Sequence, residues 1–311
     1  MSETDPGEAN GELDRKVVIV GGGPAGCSAG IFTARYGLDT VVFDRGNSAL
    51  QRCAFLENYP GFPAGIDVDV FHDLLHAHLK EAGGERVPEL VESVRRSGER
   101  PGFRIETQGG QRVTARYVIA AAWYDGSYLR NLGEEAMYSI QEHHGDTEER
   151  FNPDYPHDDG RTPVDGLYVA SPSGGRSTQT IVAAGNGAHV ARSLIEDLRR
   201  ESGYTGGVAP HYDWLRPDAE FSGEWADRDR WREWFENELP DDHDLTEAEL
   251  VELREQYIDA AFATRLDNET VAARSERGLS RLVEELGAER VLEAMDDEVI
   301  REYATGRLIH E

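Results

Sequence analysis

Lysine is almost missing from this chain: of its 32 basic residues only Lys16 and Lys80 are lysine, which leaves 30 arginines. Positive charge as a whole is scarce, because 60 Asp and Glu residues give a formal net charge of −28. A surface that acidic repels nucleic acid and anionic membranes, so neither is an expected partner. It also repels itself, and salt relieves the repulsion; the Debye length falls to about 3 Å at 1 M. Little lysine and much Asp and Glu therefore fit a salt-rich cytoplasm, a halophilic kind of protein. Cysteine is scarce too, and Cys27 and Cys53 supply neither a disulfide framework nor a CxxC pair. No apolar run approaches the ~20 residues of a membrane span, and Met1–Arg15 is polar and acidic rather than a signal peptide. A cytoplasmic location is the expectation.

What is present is concentrated in residues Lys16–Arg45, KVVIVGGGPAGCSAGIFTARYGLDTVVFDR. Lys16–Val20 is short, apolar and β-branched, as a buried strand is. Gly21, Gly23 and Gly26 follow with GxGxxG spacing, and Ala25–Tyr36 continues as a helix that stops before Gly37. The three glycines have separate uses: a tight turn, close backbone approach to a pyrophosphate, and close helix–strand packing. A helix N-terminus adds free N–H groups and a positive dipole end. Thr40–Phe43 is the second strand, and Asp44 stands at its end, where an acid can hold a ribose hydroxyl. Strand, glycines, helix, strand and acid in that order indicate a dinucleotide site.

Further along, 1–14 reads as a disordered acidic tail. Leu56–Phe62 is turn-rich, and Asp67–Ala82 is an amphipathic helix with Phe71, Leu74, Leu75, His78, Leu79 and Ala82 on one face. Arg86–Arg96 and Phe103–Thr114 read as strands, the latter a hairpin around Gly109-Gly110, and Tyr117–Ala122 as another. Trp123–Gly166 is rich in charge, Pro and His and looks irregular, with little to build a core. Leu167–Ala170 is a buried strand, followed by a Ser/Gly turn and a helix over Thr178–Arg199. From His211 onward 29 acidic residues face 12 basic ones. There Thr246 and Glu249 form a capping box for a helix over Glu247–Leu266 with a Leu250, Leu253, Tyr257, Ala261 stripe. Leu279, Leu282, Val283 and Leu286 repeat that pattern. The apolar face left over needs a partner, either the first domain or a second copy, which makes a homodimer through the C-terminal helices one expectation.

Several stretches, GGGPAG, VVFDR, ENYPGFPAGI, ARYVIAAA, VDGLYVAS and TQTIVAAGNGA, occur in one order. Together they resemble the FAD-binding half of thioredoxin-reductase-like flavoproteins, over about Arg15–Arg200. The resemblance implies an α/β fold: a single FAD/NAD(P)-binding Rossmann-like domain over 15–205, with a parallel sheet and a β-hairpin layer, then an acidic helical extension over 206–311. It implies FAD as cofactor, with NAD or ADP-ribose behind it. Gly21, Gly23, Pro24, Ala25 and Gly26 would then line the pyrophosphate, and Asp44 the adenosine ribose. Asn58 and Tyr59 would border the flavin, and Val87 would offer its backbone to the adenine. Thr178 and Gln179 would open a helix aimed at the flavin's N1–O2 edge.

The departures are equally specific. Where the family inserts a whole NADPH domain, this chain has only the 44 residues Trp123–Gly166, without a second GxGxxG, too few for such a domain. The redox CxxC that sits in that domain is missing with it. The usual ATG reads Ala120-Ala121-Ala122, and the usual AGD reads Ala170-Ser171-Pro172, so Pro172 replaces the ribityl aspartate. The expected function is thus an FAD-dependent oxidoreductase reduced by a diffusing small molecule or a partner protein. The alternative is a non-catalytic dinucleotide sensor or interaction protein.

No Ser-His-Asp order or paired catalytic carboxylate stands out, so catalytic residues stay unassigned. Cys27 and Cys53 read as small hydrophobes rather than redox thiols, since dithiol exchange needs a pair. His72 and His76 have the i, i+4 spacing of metal ligands, but with Asp69 and Asp73 beside them they read as a solvated face lacking a third ligand. His143, His144 and His157 likewise read as solvated, and no metal is expected. Trp214, Trp225, Trp231 and Trp234 read as core packing between the extension and the first domain, ahead of a lid or a subunit contact.

Overall fold

The structure, a computed structural model, describes residues 14–98, 101–122, 126–143, 146–171 and 178–308. Most of the expected tail, along with Trp123, His144 and Pro172, lies outside the described residues. The chain divides into two compact units, Met1–Asp213 and Trp214–Glu311.

In the first unit the opening strand β1 (Arg15–Val20) is buried throughout its apolar stretch. It pairs in parallel with β2 (Thr40–Phe43) on one side and β6 (Arg112–Ala120) on the other. Between β1 and β2 runs α1 (Pro24–Arg35), and α2 (Val68–Glu81) leads to β3 (Glu85–Val87), parallel to β2. The Asp67 side chain caps α2, accepting from the N–H groups of Asp69 and Val70. Arg86–Arg96 is two strands rather than one: Pro88, which cannot donate to a ladder, separates β3 from β4 (Val91–Arg96). β4 pairs antiparallel with β5 (Phe103–Thr107), and β5 with the first half of β6. The hairpin expected over 103–114 is formed, and the strand expected separately at 117–122 is the continuation of its second arm, which runs unbroken to Ala120.

That long arm changes partner partway. Arg112–Ala115 pairs with β5, whereas Val118–Ala120 pairs in parallel with β9 (Leu167–Val169). One sheet therefore carries a parallel layer and a hairpin layer, as expected. Side chains alternate across a strand, and the two faces have different covers. Val17 and Ile19 lie under the helices with Leu79, Tyr117 and Leu194, while Val18 and Val20 face Phe43, Phe103, Leu129 and Met137.

The segment expected to be irregular differs most. Within 126–166, Tyr128, Leu129, Leu132, Met137, Phe151, Tyr155 and Val164 are all buried in the hairpin-side core. Strands β7 (Tyr138–His143) and β8 (Asp146–Phe151) form their own antiparallel ladder. These apolar residues have no common period because no single helix or strand carries them: 3-10 turns bring in Tyr128, Leu129, Leu132 and Met137, and β8 brings in Phe151. After β9 comes α3 (Thr180–Glu201).

In the second unit α4 (Arg228–Asn237) packs on α5 (Glu247–Ala263). Trp225, Trp231 and Trp234 belong to this unit's own core, with Phe221, Tyr257 and Phe262 around them, while Trp214 is exposed. The deepest residue of α5 is Ile258, not a member of the expected stripe. The capping box at Thr246 and Glu249 is formed. In α6 (Asn268–Leu286), α7 (Ala288–Glu293) and α8 (Asp297–Leu308), Leu279, Leu282, Leu292, Val299 and Tyr303 are exposed, as is Met295 between the last two. Among the described residues no helix is long and apolar enough to cross a membrane.

Candidate functional site

At the C-terminal ends of the parallel strands lies a cavity of about 440 Å³. Its floor is the turn from β1 into α1. Gly21 has φ +111°, a conformation that side chains resist, and its N–H donates to the Phe43 carbonyl at 2.8 Å. A Cβ on Gly26 would stand 1.7 Å from the Gly21 oxygen, so this glycine lets helix and turn touch. Gly23 is different: a Cβ there meets only the Ser48 hydroxyl, at 3.1 Å, and faces the cavity. It is the N-cap of α1, no side chain caps the helix, and no acid sits in the first turn. Pro24 at the first helical position wastes no donor. The first-turn N–H groups and the positive dipole end are therefore left for an anion.

Asp44 forms the wall beside this turn. It is 4% exposed, and it packs so closely on Gly22 that a Cβ there would stand 2.4 Å from the carboxylate carbon. The Gly46 N–H donates to Oδ1 at 3.0 Å, and Arg86 Nη1 donates to Oδ2 at 3.0 Å. His76 Nε2 stands 3.3 Å from the same Oδ2. Burial alone would raise the pKa of this carboxyl; contacts with His76, Gly46 and Arg86 outweigh it and hold the group well below the usual carboxylate range. Asp44 is an anion at any ordinary pH.

His72 and His76 correct the expectation of a solvated helix face. Their rings lie 4.3 Å apart and both Nε2 atoms are buried. Burial and the neighbouring His76 push His72 below the usual histidine range. A third group is indeed present, Asp44, brought from β2 by the fold. Spacing along α2 could reveal the pair but not the acid 28 positions upstream of His72.

The far end of the cavity joins segments distant in sequence. Asn58 Nδ2 donates to Gln179 Oε1 at 3.0 Å, across 121 positions. Thr178, Gln179 and Thr180 open α3 and line the cavity with Cys53, while Ala121 and Ala122 line it beside the Gly21 turn. Asn186 donates to the Ala170 carbonyl at 3.0 Å and ties α3 to the end of β9. Gly187 lets α3 cross α1, since a Cβ there would stand 2.0 Å from the Ala25 oxygen. Gly21, Gly23, Pro24, Ala25, Asp44, Asn58, Thr178 and Gln179 thus share one cavity, with Gly26 packed beneath its floor. Tyr59 and Val87 are not among its lining residues. Tyr59 packs on Phe71 at 4.8 Å, and the Val87 carbonyl accepts from the N–H groups of Asp44 and Glu89. Gly22, Ser48 and Arg86 also build the site; the GxGxxG spacing leaves out the middle glycine, although VGGGP contains it.

Both cysteines are free. Burial and the charge of Asp44 push the Cys27 thiol up to about 12, and its Sγ donates to the Gly22 carbonyl, so it is a packing residue. Cys53 is exposed, with Sγ 3.0 Å from the Phe55 carbonyl.

Residues 15–121 match the pyridine nucleotide-disulphide oxidoreductase family. A thioredoxin reductase of Streptomyces coelicolor is 35% identical over 122 residues, 38% of this chain and 36% of that protein. A bifunctional thioredoxin reductase/thioredoxin of Mycobacterium leprae is 36% identical over 129 residues, 40% of this chain and 28% of that protein. The chain thus spans about a third of the length of these curated relatives. A solved thioredoxin reductase from Gloeobacter violaceus shares the fold, with a TM-score of 0.50 at 19% identity, covering 66% of this chain and 98% of that one. The likeness is therefore confined to residues 15–121 of the chain, which resemble a pyridine nucleotide-disulphide oxidoreductase domain.

Proposed function

We propose that the chain is an FAD-dependent oxidoreductase, without a nicotinamide-nucleotide domain or dithiol of its own, that receives electrons from a diffusing donor or a partner protein. The observation that carries this reading is the single cavity with an uncapped α1 N-terminus at one end and the Asn58–Gln179 pair at the other. An elongated dinucleotide fits that arrangement, and the space a Cβ would fill at Gly23 admits its pyrophosphate. The backbone around Gly23 and Ala25 would hold the phosphates, Asp44 a ribose hydroxyl, and Asn58, Thr178 and Gln179 the flavin end. FAD bound there supplies two-electron redox chemistry. The N-terminus of α3 would face negative charge with its positive dipole end.

Two observations support the lack of a second nucleotide domain and of a dithiol. Between β6 and β9 the described residues form 3-10 turns and the short β7–β8 ladder. Of the two cysteines, one is buried with a raised pKa. A second reading, a non-catalytic binder of FAD, NAD or ADP-ribose, is favoured by Ala121 and Ala122, which line the cavity with methyl groups and no polar side chain. Purification in concentrated KCl and a visible spectrum separate the two. A flavin band that bleaches with a reductant and returns in air supports the oxidoreductase. A colourless chain that binds ADP-ribose supports the binder.

A further inference from the structure

We infer that Asp44, His72 and His76 form a binding site for one transition-metal dication of the zinc or cobalt kind. The three ligating atoms, one from each residue, all lie within 4.8 Å of one another. Ligands at about 2.0–2.1 Å around a tetrahedral zinc stand about 3.3 Å apart. The His76 Nε2 to Asp44 Oδ2 separation is already 3.3 Å, and the remaining closure is within the reach of small side-chain rotations.

Three further features favour a metal over a plain hydrogen-bonded cluster. His72 Nε2 is buried without a hydrogen-bond partner among the described residues, and the equally buried His76 Nε2 has only its 3.3 Å contact with Asp44 Oδ2. Buried polar atoms rarely go unpaired, so the bare His72 Nε2, within 4.8 Å of both other groups, needs an explanation. Second, the histidines stand at i, i+4 and the ring centroids are 4.3 Å apart, so one helix face presents both. Third, the carboxylate is already anchored. The Gly46 N–H holds Oδ1, and Oδ2, with two lone pairs, can accept a metal while keeping Arg86. A hydrogen bond from Arg86 would then orient the ligand as outer partners do in metal sites. Two imidazoles and one carboxylate leave a coordination position open for water, and this donor set suits zinc or cobalt better than calcium or magnesium. The site stands whichever dinucleotide the cavity takes.

The test is a cobalt titration of the full chain, stripped with a chelator and kept in excess magnesium so that surface carboxylates are occupied. One tight equivalent should appear with the visible bands of four-coordinate cobalt. His72→Ala and His76→Ala should each lose those bands, while His157→Ala, at an exposed position, should keep them. No tight equivalent, or bands that survive both substitutions, would overturn the assignment. Should the alanine variants fail to fold, X-ray absorption of the zinc-loaded parent decides instead. Two imidazole ligands support the site, and an all-oxygen shell refutes it.

Discussion

Replacing Gly23 and Gly26 one at a time separates the fold from the ligand site, because the two glycines meet different surroundings. In Gly26→Ala the new methyl must stand where the Gly21 carbonyl oxygen is, 1.7 Å from an ideal Cβ. Backbone on both sides has nowhere to go, so the cost is about 3 kcal/mol, the upper end for overpacking. For a unit of this size that is roughly 6–12 °C in Tm. In Gly23→Glu the backbone is already extended, at φ −75° and ψ −172°, and the side chain enters open cavity. A carboxylate at that N-terminus stabilises the helix by about 0.3–1 kcal/mol. The same carboxylate occupies the proposed pyrophosphate seat. One unit charge about 4 Å away costs roughly 4 kcal/mol at an effective dielectric of 20, or about a thousandfold in affinity. Concentrated salt screens the exposed part of this, which leaves at least ~10-fold. Thermal unfolding of the stripped chain and calorimetric titration with ADP-ribose and FAD measure both quantities. Gly26→Ala should melt early; Gly23→Glu should melt with the parent or slightly above it and bind neither ligand tightly. A folded Gly23→Glu chain that keeps the parent's affinity would remove the pyrophosphate from this loop and refute the reading.

Asn58→Ala should weaken FAD by about tenfold, as loss of a ~1.4 kcal/mol contact would, and leave ADP-ribose unchanged in the same titration, since Asn58 and Gln179 stand at the end proposed for the flavin. Arg35 binds Asp213 through both guanidinium arms, with Nη2 2.8 Å from Oδ1, and that contact holds Asp213 below the usual carboxylate range. A carboxyl depressed in the folded state gives stability that is complete above its unfolded pKa and lost as pH falls through the folded value. Urea unfolding of parent and Asp213→Asn should therefore differ by about 1 kcal/mol at pH 7, and the difference should close as the pH falls below ~4. Tyr168 donates to Asp197 Oδ2 at 2.7 Å from a buried ring. Tyr168→Phe should cost about 1–2 kcal/mol by the same assay, because Asp197 loses a donor at the foot of α3.

The βαβ opening was legible because its signals are local. The run KVVIV, the glycines and the acid at the end of β2 each declare themselves within a few residues, and the structure puts them together at one turn. The helix over 68–81 was legible from its apolar face and that over 180–201 from the Ser/Gly turn ahead of it, to within two residues at either end. What stayed hidden needed the chain to fold first. Tyr128, Met137 and Phe151 are core residues without a periodic neighbour, so nothing in their surroundings marks them as buried. His72 and His76 carry the spacing of ligands, yet whether they face water depends on where β2 ends. The Asn58–Gln179 bond joins two loops that no short-range rule connects.

The forked β6 explains how a short segment can stand where the resembled family inserts a larger domain. Its first half is held by β5 and its second by both β1 and β9, so the strand is fixed whatever leaves its end at Ala120. The chain departs there and re-enters beside it, with Val118 opposite Leu167 and Ala120 opposite Val169. An excursion whose ends are pinned on adjacent strands adds little to the cost of folding as it lengthens, about 0.6 kcal/mol per doubling. The sheet therefore sets no length for the segment; what it demands is a cover for Val20, Val118 and Val169 on the hairpin face. Here Leu129, Leu132 and Met137 join the cluster that covers that face. Replacing them with polar residues should expose the sheet itself, whereas residues inserted between His143 and Asp146 should leave the cavity and its ligand affinity unchanged.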